Sequence, residues 1–304
     1  MWTIVVGMTA IEVRGLRYSY GEFAAVSGVD FTVRSGEILA LLGTNGAGKT
    51  TTLEMVQGFR RPDGGSVSVL GHDPFRSRTA VKPRVGVMLQ EAGLVAELTV
   101  AETVRLWAGL SSRRDDVDDV LDRVELSHRA GVAVEKLSGG ERRRLDFALA
   151  TWGRPEVVIL DEPTTGLDPE SRQRMWKVIA GLRDAGRTIL LTTHYLEEAE
   201  ALADRVAIMH EGAISVAGTL DEVLGAHPAR ITARVPAELA GSLPPLRGSV
   251  SVTGGTDVLV QTVELQSDLS DLLRWAESAG VRLGGLTASQ ASLHEIFLAI
   301  GADR

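Results

Sequence analysis

An apolar pentad, Ile38, Leu39, Ala40, Leu41 and Leu42, runs without a break into Gly43, Thr44, Asn45, Gly46, Ala47, Gly48, Lys49 and Thr50. The pentad reads as a strand buried on both faces, which requires a sheet covered by helices on each side. The octapeptide has the G-x-x-x-x-G-K-[ST] spacing and leads into a helical pattern over residues 49–56. Glycines so placed let successive backbone N–H groups turn inward around phosphate oxygens, beside the positive end of the following helix. Lys49 would then face the β- and γ-phosphates of a nucleotide and Thr50 would meet Mg²⁺, with Thr51 next in the cradle.

The rest of the chain supports a mainly parallel α/β sheet. Buried-strand runs at residues 85–89, 157–160 and 189–191 alternate with helical patterns. Leu145, Ala148, Leu149 and Trp152 fall at i, i+3, i+4 and i+7, as do Met175, Val178, Ile179 and Leu182. Upstream, residues 11–33 alternate apolar with polar and are interrupted at Gly15, Gly21 and Gly28, which predicts several short antiparallel strands. Residues 99–126 predict a helical insert, with Val117, Val120, Leu121 and Val124 opposite an acidic face.

Past Gly225 a Pro-bearing stretch at residues 226–229 marks a change of pattern, so two domains are expected, residues 9–225 and 226–304. The second reads as a small α+β domain. Strands near 231–235, 249–253, 258–263 and 281–286 and a helix bearing Leu269, Leu272, Leu273 and Ala276 give a β-α-β-β-α-β order. Ser292 and Glu295 stand in capping-box spacing before a last helix.

With 304 residues, 44% of them hydrophobic, the chain is long enough for two cores. No run approaches the roughly 18 apolar residues that span a bilayer. Residues 1–8 are apolar but have no basic start and no cleavage pattern, so they do not read as a secretory signal, and Met8 is a second candidate start. A net charge of −8 argues against nucleic acid as a partner, and the run Arg142, Arg143, Arg144 is too short to reverse that. The absence of cysteine excludes disulfides and thiolate metal sites, and fits a reducing cytoplasm.

A second acidic element fits the phosphate loop. The strand Val157, Val158, Ile159, Leu160 ends in Asp161 and Glu162, where Asp161 can join a Mg²⁺ shell and Glu162 can orient or deprotonate an attacking water. Phosphoryl transfer needs positioned charge and a positioned nucleophile more than covalent help, and Lys49, Thr50, Asp161 and Glu162 supply both.

Between the two lies L-S-G-G-E, residues 137–141, which alone would be an ordinary helix start. Together with D-E-P-T-T-G-L-D-P at residues 161–169 and the phosphate loop, it resembles the ATP-binding-cassette (ABC) transporter ATPases, over residues 11–225 with every motif intact. The resemblance implies a P-loop NTPase cassette with an antiparallel β subdomain and a helical insert. It also implies that Tyr20, with Tyr18 as the alternative, stacks on adenine. Gln90 would reach Mg²⁺ and water, and His194 the γ-phosphate. Ser138, Gly139 and Gly140 would act on the ATP of a partner subunit, with Asp168 at the dimer contact. The tail A-S-L-H-E-I-F-L-A-I, residues 291–300, resembles the end of daunorubicin-resistance drug-exporter ATPases, in which Leu293 and Phe297 would pack.

The expected function is that of the ATP-hydrolysing motor of a membrane exporter. It would work as an ATP-dependent homodimer at the cytoplasmic face of the membrane, held there by separate transmembrane permease subunits. An importer ATPase shares the cassette, and only the tail favours export. A soluble ABC ATPase of DNA repair would carry a long coiled coil between phosphate loop and signature, which residues 51–136 lack. Its translation counterpart would usually carry two cassettes, and one phosphate loop is present here.

Overall fold

A computed structural model describes residues 8–90 and 93–302; the apolar opening before Met8 lies outside the described residues. The chain forms two compact units, the first ending at Ala217 and the second beginning at Gly218.

The first unit opens with a long hairpin, β1 (Thr9–Tyr20) and β2 (Phe23–Arg34). This corrects the expectation of several short strands. Gly21 forms the turn, while Gly15 and Gly28, at φ +54° and +94°, sit inside the strands at shifts of register, and pairing resumes beyond them. Next come β3 (Ile38–Gly43), buried throughout, α1 (Lys49–Val56) and β4 (Gly64–Val69). β4 pairs with the free side of β1, giving an antiparallel sheet in the order β2-β1-β4.

The chain then runs through α2 (Arg78–Val81), β5 (Val85–Met88), α3 (Val100–Leu110), α4 (Val117–Arg123), α5 (Gly139–Thr151), β6 (Val157–Asp161), α6 (Pro169–Asp184), β7 (Thr188–Thr193), α7 (Leu196–Leu202), β8 (Arg205–His210) and β9 (Ala213–Thr219). The strands form a six-stranded sheet in the order β5-β6-β7-β3-β8-β9, parallel from β5 through β8. The helical insert is present as α3 and α4. Thr99 and Glu102 form a reciprocal capping box at the start of α3, and Asp116 accepts from two backbone N–H groups at the start of α4.

Apolar residues of the hairpin, among them Ile11, Leu16 and Val29, share one core with Leu39, Leu41, Ile159 and Leu190 of the large sheet. Each such fully buried side chain contributes about 1.5–3 kcal/mol, so the hairpin is fixed to the strand that carries the phosphate loop.

The second unit holds α8 (Leu220–Gly225), β10 (Ala229–Arg234), a 3₁₀ turn (Ala237–Ser242), β11 (Ser249–Thr253), β12 (Asp257–Thr262), α9 (Leu265–Ser278), β13 (Gly284–Ser289) and α10 (Leu293–Ala302). Its antiparallel sheet has the order β11-β12-β10-β13, the arrangement of a split β-α-β fold. The last strand lies three residues beyond the predicted 281–286. Ile231, Val258, Val260 and Leu272 form its core, and Ser292 and Glu295 cap α10 reciprocally. Leu293 and Ile296 are buried and Phe297 half-buried.

One contact fixes how closely β5 approaches α5. A Cβ at Gly86 would lie 2.0 Å from the Ala150 carbonyl of α5 and 2.9 Å from Pro155, so strand and helix meet backbone to backbone. Gly86→Ala is expected to cost about 1–3 kcal/mol by overpacking. Urea unfolding should read this as a lower midpoint at unchanged slope.

Candidate active site

Parallel pairing puts the carboxyl ends of four strands at one edge of the large sheet. Leu42 of β3 pairs with Thr193 of β7, Thr192 with Asp161 of β6, and Leu160 with Met88 of β5. The loop that starts at Gly43, the acidic pair, Gln90 and His194 therefore converge, although about 150 residues of sequence separate the first from the last. Open parallel sheets bind ligands at this edge.

The loop is shaped by close backbone approach. Gly48 has φ +97°, and a Cβ there would lie 2.3 Å from the Ala25 carbonyl. Ala47 N donates to Thr44 O across the turn (3.1 Å), and Thr52 N donates to Gly48 O (2.9 Å) as α1 begins. The Lys49 ammonium is held at the loop, donating to Gly43 O (2.7 Å) and Thr44 O (3.1 Å). Burial lowers its pKa from the usual lysine value, against the pull of the Glu162 and Asp161 carboxylates. Thr44, Asn45, Gly46 and Thr50 are exposed. A cradle that excludes a Cβ, with a cation at its side and an open mouth, suits a chain of phosphates.

Opposite the lysine, Asp161 accepts from Thr192 Oγ1 at 2.5 Å. Its carboxyl is raised above the usual range by burial and by the neighbouring Glu162 charge, with the Thr192 bond and the Lys49 and Arg143 charges opposing. Glu162 stands at φ +48°, a left-handed conformation that costs a non-glycine residue about 1–3 kcal/mol. Its N–H donates to both Thr192 O and Thr192 Oγ1, each at 3.1 Å. Three groups converge on its Oε2: Gln90 Nε2 at 3.4 Å, His194 Nδ1 at 3.3 Å and Thr165 Oγ1 at 3.1 Å. The His194 ring lies 4.1 Å from that of Tyr195, which Arg172 covers at 4.2 Å.

Tyr20 and Tyr18 differ in what surrounds them. Tyr18 is half-buried, and its hydroxyl accepts from Arg60 Nη1 at 2.7 Å. Tyr20 is exposed, its hydroxyl 3.4 Å from Thr51 Oγ1 at the start of α1 and its ring edge-on to Tyr18. The signature turn is tied elsewhere. Ser138 caps α5 in a reciprocal box with Glu141, and Gly140 abuts Ser171 and Leu167. Asp168 caps α6 by accepting from Ser171 N at 2.9 Å.

Four more residues complete the site: Thr165, inside the motif at residues 161–169, and Thr192, Arg60 and Arg143, which carry no motif. Thr192 holds both acids, and Thr165 meets Glu162. Arg60 braces both tyrosines, with its guanidinium 4.8 and 4.9 Å from their ring centres. Arg143 donates to carbonyls on both sides of the acidic turn. No spacing signal separates it from Arg144, because residues 144, 148 and 151 share a face of α5 just as 143, 147 and 150 do, with the later two buried in each case.

Comparison with known proteins covers nearly the whole chain. A family model described as ABC transporter matches residues 26–165, and one described as ABC transporter domain-containing protein-like, C-terminal domain, matches residues 229–292. A daunorubicin resistance ATP-binding protein of Streptomyces coeruleorubidus is 36% identical, over 97% of this chain and 96% of the relative. This chain belongs to the ABC transporter family. A Nod factor export ATP-binding protein of Sinorhizobium fredii is 40% identical, over 81% of this chain and 75% of the relative. A solved ATP binding subunit of an ABC transporter superposes with a TM-score of 0.65 at 29% identity, covering 71% of this chain and 92% of that one.

As an ABC ATPase the chain binds and hydrolyses ATP. Among the described residues no helix is long and apolar enough to cross a membrane.

Of the two tyrosines, Tyr20 is the exposed one. Tyr20→Ala is expected to weaken ATP binding by about 1–3 kcal/mol, the usual worth of base–aromatic stacking, or roughly 5- to 150-fold in Kd. Titration with a fluorescent ATP analogue checks this, and Tyr18→Ala should cost less.

Proposed function

We propose that this chain is the ATP-hydrolysing motor of a membrane exporter and that Glu162 prepares the attacking water. The observation that carries the reading is the meeting of Gln90, Thr165 and His194 on Glu162 Oε2, at the strand edge that also bears the phosphate loop.

Under this reading Gly43, Thr44, Asn45, Gly46, Ala47, Gly48 and Thr51 cradle the phosphates, and Lys49 exchanges its loop carbonyls for β- and γ-oxygens. Thr50, Gln90 and Asp161 offer hydroxyl, amide and carboxylate oxygens, the hard donors that Mg²⁺ takes alongside phosphate. When bound there, that ion neutralises charge that builds on the β- and γ-oxygens. Glu162 takes the proton of the water as its oxygen bonds to the γ-phosphorus and the bond to the β-phosphate oxygen breaks. His194 and Gln90 hold the γ-phosphate and the water in line. Ser138, Gly139 and Gly140 present the N-terminus of α5 to the ATP of a second copy, with Asp168 at that contact. The result is an ATP-dependent homodimer.

Export is supported by the full-length similarity to the daunorubicin resistance ATP-binding protein, which extends through the C-terminal domain, and by the Nod factor export relative. A separate transmembrane subunit would dock through an apolar groove. A groove of about 850 Å³ is lined by Phe59, Val81, Trp107 and Leu110, with Arg78 and Lys82 exposed beside them. An apolar helix face edged with acidic residues fits it. Such a contact would hold the chain at the cytoplasmic face.

Glu162→Gln keeps shape and hydrogen bonding but cannot accept the proton. ATP binding should survive, turnover should fall by about 10² to 10⁴, and an ATP-bound dimer should accumulate. Light scattering with ATP, with ADP and without nucleotide reads the dimer. Unchanged turnover would remove Glu162 from the mechanism, and a dimer that persists after adding Ser138→Arg would refute the contact in trans.

We further propose that residues 9–225 form the nucleotide-binding domain and 226–304 a separate one. A chain ending at Gly225 should fold and bind ATP, because every nucleotide motif lies upstream. Its circular dichroism and ATP titration check this.

A further inference from the structure

Arg143 stands on the turn of α5 that follows the signature, and only 10% of its side chain is exposed. A guanidinium carries five N–H donors in one plane, a fork that the point charge of lysine cannot copy. Here the fork is spread over two separate pieces of chain. Nη1 donates to Leu89 O (3.0 Å) and Gln90 O (2.9 Å), just past β5. Nη2 donates to Asp161 O (2.8 Å) and Glu162 O (2.6 Å), and Nε donates to Pro163 O (3.1 Å). Asp146, one turn further along α5, lies 3.5 Å from Nη1.

Two of these carbonyls belong to Gln90 and Glu162, whose side chains meet at Glu162 Oε2. Glu162 itself is in a left-handed conformation, with its N–H tied to Thr192 and its carbonyl tied to Arg143. Such a conformation persists only where the surroundings hold it. The Gln90 carbonyl is tied to the same plane, so the Gln90 and Glu162 backbones cannot shift apart without breaking short charge-assisted bonds. The cation rides on the helix that opens with Ser138, Gly139 and Gly140.

We infer that Arg143 is a positioning residue for hydrolysis: it fixes the Gln90 and Glu162 backbones relative to one another and links both to the signature helix. The inference rests on the reading that Glu162 and Gln90 prepare the water. It separates two tasks that share one site. The phosphate loop makes no bond to Arg143 among the described contacts, so binding of ATP should be spared. The geometry of attack should not.

The test compares Arg143→Lys, Arg143→Gln, Glu162→Gln and the double variant Glu162→Gln/Arg143→Lys in the full chain. Nucleotide affinity is measured with a fluorescent ATP analogue and turnover with radiolabelled ATP. Both Arg143 variants should keep the Kd within about twofold while kcat falls about 10- to 10²-fold, the cost of a misplacement near 1 Å. Lysine should rescue little, because charge without the fork cannot span both segments. If Arg143 acts by placing Glu162, the double variant should turn over no more slowly than Glu162→Gln alone.

Wild-type kcat in Arg143→Lys would overturn the inference. So would losses that multiply in the double variant, or a Kd that rises as far as kcat falls, since these mark general damage to the fold. Full turnover in Glu162→Gln alone would instead remove the reading of the site on which the inference stands. Arg143→Lys keeps bulk and charge, so the comparison survives if Arg143→Gln does not fold.

Discussion

The site depends on the parallel register of β5, β6, β7 and β3. Once Leu42 lies opposite Thr193, Asp161 opposite Thr192 and Met88 opposite Leu160, four strands must finish at one edge. Each delivers a different chemical group: a loop of backbone N–H groups with a lysine, an amide, a carboxylate pair and an imidazole. A shift of one residue in any pairing would turn every side chain of that strand to the other face, so the core enforces the alignment. Ile159, Leu190, Leu39 and Leu41 are essentially inaccessible to solvent. Packing in the middle of the sheet thus decides geometry at its edge.

The parts of this arrangement that were legible in the sequence are those in which one short stretch carries its own instruction. The glycines and lysine after β3, the acidic pair after β6 and the Ser-Gly-Gly start of α5 each state a local conformation. The parallel sheet followed from runs with no polar position. β4 and β9 have few buried positions and so resemble loop, whereas β8 carries a continuous buried run, Val206, Ala207, Ile208 and Met209, of the kind that marks the other parallel strands. The glycines at 15 and 28 misled for a related reason. In a sequence they punctuate, whereas in a strongly twisted hairpin an irregularity absorbs them and the strand goes on.

The supporting residues are hidden differently. Thr192, Arg60 and Arg143 act through contacts with residues distant in sequence, and no local rule separates them or Thr165 from ordinary polar residues. Arg143 was visible only as part of a basic triplet, in which its two neighbours point elsewhere. Arg142 reaches the carbonyls of Val134 and Glu135, and Arg144 reaches Glu125. Three identical side chains in a row thus do three unrelated things, because a helix turns by about 100° per residue.

Thr192 has one hydroxyl hydrogen, and it is committed. The hydroxyl donates to Asp161 at 2.5 Å, and its oxygen receives the Glu162 N–H at 3.1 Å, in a place with no solvent access. Valine has the same outline but neither donor nor acceptor, so it would leave a buried carboxylate without a donor and weaken the hold on a strained backbone. Serine alone could substitute, at the expense of a methyl group in the core. The narrowest chemical choice in the site therefore falls on a residue two places before the histidine, just after three strand positions, Ile189, Leu190 and Leu191, that need only be apolar.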